Sequence, residues 1–123
     1  MAAIRYIVDD VDVAADFYAR LLGFTVLRKY GPAMAILERD GLALWLAGPL
    51  ASASRPLPDG RRPVPGGWNR MVLEVGDLPR LVSDLAEAGV TFLQGIVDGP
   101  GGRQTLCTDP AGNVVELFQA HSN

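Results

Sequence analysis

Val8-Asp9-Asp10-Val11 and, in the second half of the chain, Val75-Gly76-Asp77-Leu78 are two versions of one junction, and their repetition decides the fold. In each, an apolar β-branched run gives way to an aspartate suited to accept hydrogen bonds from the free N–H groups that open a helix. Upstream of the first, Ile4-Arg5-Tyr6-Ile7-Val8 is rich in β-branched and aromatic residues, which favour a strand. Downstream, Val13, Ala14, Phe17, Tyr18, Leu21 and Leu22 recur at three- and four-residue steps, with Gly23 as the stop. The spacing predicts a helix near residues 11–22, with Phe17 and Tyr18 in the core.

Phe24–Leu27, Met34–Glu38 and Leu42–Ala47 read as strands, the last two joined by Asp40-Gly41, a strong hairpin dipeptide. The first module, about residues 1–47, is therefore βαβββ. Residues 48–67 hold five prolines and four glycines and predict an irregular crossing, either a solvated linker or a lid. The second module, about residues 68–120, repeats the order: strand Trp68–Val75, a helix near 78–88 ended by Gly89, then Val90–Val97, Arg103–Thr108 and Val114–Gln119. Asp98–Gly102 is a turn. The offset between the halves is nearly constant, and Gly41 precedes Trp45 by four residues as Gly112 precedes Glu116. The expected architecture is α+β, with eight strands and two main helices in one domain over residues 1–123.

Composition excludes several function classes. With 123 residues, about half of them apolar, the chain has material for one core. A formal charge of −3 without a dense basic stripe argues against nucleic acid as partner. No window approaches the ~18 apolar residues of a membrane span, and no leader pattern opens the chain, so neither a membrane partner nor secretion is expected; a cytoplasmic location is. The lone Cys107 sits in a strand-like run and reads as a buried structural thiol. His121, near the chain's end, reads as part of a frayed tail. Trp68 is expected to pack on the crossing segment or at a dimer contact.

Val8–Gly23, with Phe17-Tyr18 and Leu21-Leu22-Gly23-Phe24, and Asp109-Pro110-Ala111-Gly112-Asn113 followed by Val114-Val115-Glu116-Leu117, make the chain resemble the vicinal oxygen chelate superfamily of glyoxalases, bleomycin resistance proteins and extradiol dioxygenases. The resemblance implies curved mixed sheets around a small-molecule cavity, and a homodimer. It also implies that the metal ligands of relatives fall at Ala3, Trp45, Arg70 and Glu116 here. Only Glu116 is a possible ligand, which is too few for a catalytic Zn, Fe or Ni centre. An all-oxygen site from Glu38, Glu74 and Glu116 is conceivable, but a fixed charge at Arg70 would repel a cation. No metal and no cofactor are therefore expected.

Strand periodicity then places Arg5, Ile7, Ala43, Ala47, Val72, Glu74, Val114 and Phe118 on the same faces as those four positions. The opposite set, which includes Ile4, Tyr6, Val8, Met71, Leu73 and Val75, is apolar and suited to lie under the helices. The candidate ligand-binding residues are thus Arg5, Trp45, Arg70, Glu74, Glu116 and Phe118, for a small organic molecule that is anionic or aromatic. Trp45 is suited to stack a planar ligand or the Arg70 guanidinium. Arg70 and Glu116 are expected to form an ion pair. The leading expectation is a metal-independent binding protein that sequesters its ligand. The rivals are a metal-dependent lyase, isomerase or dioxygenase using Glu116, and a metal-free enzyme with Glu74 or Glu116 as general base and Arg70 or Arg5 steadying an anion.

Overall fold

Asp10 opens the first helix, α1 (Val11–Leu22): its carboxylate accepts the Val13 N–H at 3.1 Å, and Gly23 closes the helix in the left-handed conformation at φ 73°. The structure, a computed structural model, describes residues 2–121. In the buried face of α1, Val11 and Ala15 join Ala14, Phe17, Tyr18 and Leu22, while Val13 is 50% exposed, so the apolar stripe is turned slightly from the expected one. Tyr18 is fully enclosed and meets Tyr6, Phe17 and Phe24 edge-on, with ring centroids 6.4, 5.1 and 5.5 Å away. Such pairs add about 0.5–1.5 kcal/mol each beyond the area they bury.

Contacts divide the chain into two compact units, one of residues up to Gly66 with Pro110–Asn113, the other of Gly67–Asp109 with the chain from Val114 on. The first unit holds β1 (Ala3–Ile7), α1, β2 (Thr25–Tyr30), β3 (Met34–Arg39) and β4 (Leu42–Ala47), in a mixed sheet of order β1-β4-β3-β2 with β1 parallel to β4. Tyr6, Leu37, Leu44 and Leu46 are buried on the side that meets α1. The opposite positions of β1 and β4, Arg5 and Trp45, are direct partners in the ladder. Glu38 accepts the Gly41 N–H at 2.6 Å and closes the expected β3–β4 turn. The crossing is irregular except for one 3-10 turn at Ser52–Ser54. Asn113 is buried and bridges two backbones of this unit, accepting Gly66 N–H at 2.7 Å and donating to the Ile7 carbonyl at 2.8 Å.

The second unit holds β5 (Met71–Glu74), α2 (Leu78–Glu87), β6 (Thr91–Phe92), β7 (Val97–Asp98), β8 (Gly102–Thr108) and β9 (Val114–Ala120). Its sheet runs β5-β9-β8-β6, with β7 also on β8 and β5 parallel to β9. Asp77 caps α2 by accepting the Arg80 N–H at 3.2 Å, and Gln119 accepts the Leu78 N–H at 2.7 Å. Both helices therefore lie where the spacing predicts them.

Nine strands replace the expected eight among the described residues. The expected strand Val90–Val97 is two short ones, because Gly95 offers no side chain to pack and the Thr105 hydroxyl takes the Gln94 carbonyl at 2.9 Å in place of a ladder bond. Likewise β5 begins only at Met71, after Gly66 and Gly67 at φ 103° and 100°. Trp68 is 73% exposed instead of packed. His121 is exposed as expected of a tail, yet anchored: its N–H donates to the Gly101 carbonyl at 3.1 Å and its Nε2 lies 2.9 Å from the Gly99 carbonyl.

Candidate functional site

In the first unit the side chains turned away from α1 fall in rows across the sheet. One row reads Arg28, Ile36, Trp45, Arg5, each residue the ladder partner of the next. It exists because β2 runs on to Tyr30 and carries a bulge between Val26 and Arg28, which re-aims its last residues. The Arg5 Cζ stands 5.1 Å from the Trp45 ring centroid, and the Arg28 Cζ 5.8 Å from that of Tyr30. Arg28 Nη1 also donates to the Tyr30 hydroxyl at 3.3 Å. The guanidinium beside Trp45 within this unit is therefore Arg5's. A pocket of about 420 Å³ lies over Ile36, Trp45 and Arg5 of this row, with Met34, Tyr30 and Leu50 also in its lining, while Arg28 stands outside the lining beside Tyr30. Trp45 Nε1 is enclosed and has no hydrogen-bond acceptor among the described residues.

In the second unit Arg70 and Glu116 meet as expected. Arg70 Nε donates to Glu116 Oε1 at 3.0 Å and Nη2 lies 2.9 Å from the same oxygen, while Nη1 donates to the Trp68 carbonyl at 3.3 Å. The Glu116 side chain is only 10% exposed and that of Arg70 27%. β9 positions Glu116 beside Val72 of β5, and Phe118 beside Glu74. Glu74 is exposed, and Phe118 is half-buried with its ring tip over Gly101 and Gly102. The candidate residues thus gather as Arg5 with Trp45 in one unit, and as Arg70 with Glu116 and Glu74 beside Phe118 in the other.

Whether these residues suit the metal of related proteins is decided by their donor chemistry. Of the four expected ligand positions only Glu116 is a donor, and its Oε1 is engaged twice by Arg70. Glu38 is held by its own hairpin turn in the first unit. Among the described residues no group of three or more His, Cys, Asp or Glu is placed to hold an ion. The residues present do not fit a catalytic metal.

Cys107 is fully buried in β8, where burial first and the Asp109 charge second push its thiol from 9.0 up to about 11. A thiol so placed stays protonated and unreactive at neutral pH. Since the unfolded chain releases this proton near pH 9 and the folded chain near 11, the unfolded state binds fewer protons in that window and stability falls as pH rises. A loss of roughly 1 kcal/mol between about pH 9 and 10 is expected. Urea titrations in that range measure it, with Cys107→Ala as the variant lacking this slope; equal slopes would contradict it.

Arg28 and Tyr30 lie beyond Leu27, where the sequence pattern predicts the end of this strand, whereas β2 continues to Tyr30. The alternation of Arg28 and Tyr30 was the available signal, and the bulge masks it by putting Leu27 out of phase.

A duplicated βαβββ unit, each with a helix on one sheet face and charged or aromatic groups on the other, defines a class of paired-module proteins. The chain belongs to the Glyoxalase/Bleomycin resistance protein/Dioxygenase superfamily, whose family model matches residues 1–117. TnmS3, an antibiotic binding protein from Streptomyces sp. CB03234, is 27% identical, with 98% of this chain and 97% of that one covered at a TM-score of 0.68. A superfamily member from Sphaerobacter thermophilus DSM 20745 is also 27% identical, covering 97% of each chain at a TM-score of 0.70. Lactoylglutathione lyase from Agrobacterium tumefaciens shares the fold at 20% identity and a TM-score of 0.74, over 97% of this chain and 92% of that one. No curated protein matches the chain.

Proposed function

We propose that this chain is a metal-independent small-molecule-binding protein that sequesters its ligand. The observation that carries this reading is the engagement of Glu116, the one carboxylate at an expected ligand position, by the Arg70 guanidinium at 2.9 Å. A carboxylate neutralised in this way has little affinity left for a cation, and the fixed positive charge beside it repels one. The pocket over Trp45, with apolar walls and few polar groups, has the make-up of a site for a small organic molecule. The likeness to an antibiotic binding protein at 27% identity supports the same class of activity. Elemental analysis of protein purified without chelators tests it. Less than a tenth of an equivalent of any transition metal is expected, and a stoichiometric metal lost on Glu116→Gln would establish the metalloenzyme instead.

A homodimer belongs to this proposal, in a cytoplasmic setting. Leu27 at 60% and Trp68 at 73% exposure are large apolar groups that a symmetric partner would cover, and β2 is an exposed edge strand. Light scattering at micromolar concentration is expected to return twice the chain mass, and a monomer would remove the claim. No described helix is long and apolar enough to cross a membrane.

A further inference from the structure

We propose that the pocket of the first unit takes a planar aromatic carboxylate, laid on Ile36 and Trp45 with its carboxylate against Arg5, and that Arg28, outside the lining beside Tyr30, receives a second acidic group where the ligand extends past the pocket to it. This rests on the reading of the chain as a small-molecule-binding protein, and adds the charge and shape of the ligand.

The distribution of ion pairs carries it. The chain has 14 acidic residues against 11 Lys and Arg, so carboxylates are in excess. Arg20, Arg39, Arg61 and Arg70 each pair with one, as does Lys29. Among the described residues Arg5, Arg28, Arg55, Arg62, Arg80 and Arg103 have no carboxylate partner, and what sets Arg5 and Arg28 apart from the other four is that each lies against an aromatic ring. A guanidinium that lies beside a ring and has no carboxylate on it retains N–H groups for a planar anion. The same row of the sheet contains both, separated by Ile36 and Trp45, an apolar and aromatic floor. Three strand spacings, about 14 Å, separate the backbones of the two arginines, and their long side chains can reach inward over that floor.

The pocket walls fix the rest of the ligand. Met34, Ile36 and Leu50 favour an apolar body, and the Trp45 indole favours a flat one. A neutral apolar molecule would leave the two arginines unused, and a small inorganic anion would leave the floor uncovered. An aromatic acid uses both.

Calorimetry with 2-naphthoate and with its neutral counterpart 2-naphthamide tests the inference on the full chain. The acid is expected to bind at least about tenfold tighter, the worth of a charge-assisted hydrogen bond. Arg5→Gln should remove that advantage, so that acid and amide bind the variant with equal affinity; Arg5 is exposed, so the variant is expected to fold normally. Naphthalene-2,6-dicarboxylate should gain over naphthoate, and Arg28→Gln should cancel only that gain. The chain's two tryptophans yield two indole N–H signals in a nitrogen-15 correlation spectrum, assigned with Trp68→Phe, and the Trp45 signal should be the one that moves. Acid and amide binding equally, or an acid advantage that survives Arg5→Gln, overturns the charge assignment while the binding-protein reading stands. A shift confined to Trp68 overturns the location. If neither probe nor the dicarboxylate binds, the inference falls, while the reading beneath it is decided by the elemental analysis.

Discussion

Gly102→Ala is expected to destabilise the chain by on the order of 4 kcal/mol, the range reached when a core position is overfilled by backbone rather than by a movable side chain. Gly102 is buried at the start of β8 and pairs with Ala120 of β9. A methyl group there would collide with the Gln119 carbonyl oxygen, and would stand 2.9 Å from both the Ala120 Cα and the Phe118 Cζ. The Phe118 ring can swing aside. The β9 backbone has less room to move, because it is bonded on its other side to β5 as far as Phe118, the residue before Gln119. Adjacent Gly101 is the control, since a methyl group on it meets only Phe118 Cζ at 3.9 Å. Urea denaturation of both variants should separate them by several kcal/mol; equal stabilities would show that β9 yields more easily than its pairing suggests.

Arg70→Met should cost on the order of 3 kcal/mol, because it leaves the Glu116 charge enclosed without its partner. Glu116 is 10% exposed at its side chain, which puts the pair well away from the surface ion pairs worth under about 1 kcal/mol. The double variant Arg70→Met with Glu116→Leu removes both desolvated charges and should return to within about 1 kcal/mol of the parent. A double-mutant cycle by denaturation at constant pH reads the coupling. Additive losses would mean that the two side chains act independently and that Glu116 is reached by water.

Much of the fold was legible because its signals are local. Asp10 and Asp77 each cap a helix with their own side chain, and Gly23 and Asp40-Gly41 set turns through their own backbone angles. The period-2 pattern of β1 and β5 sorted Tyr6, Met71 and Leu73 to the buried side without any knowledge of partners. The division of Val90–Val97 was not legible. It depends on the Thr105 hydroxyl reaching the Gln94 carbonyl from another strand, and no window of sequence contains that contact.

For the candidate site, the sequence by itself determined the inventory: one carboxylate among the four positions where the resemblance implies metal ligands, an arginine at another of them, and Arg5 on the opposite face of the first strand from Tyr6. Residue types and a period of two suffice for that, since they need only covalent order and the pleat. Which arginine lies on Trp45 was decided by tertiary structure, because β1 pairs in parallel with β4 and brings Arg5 opposite the indole. So was the entry of Arg28 into the same row, through a bulge whose extra residue is recognisable only against its partner strand. Asn113 became a bridge between Ile7 and Gly66 by the same kind of closure, 106 and 47 residues away along the chain. Register and closure are properties of paired strands, and the energy that selects them is shared between segments far apart in sequence.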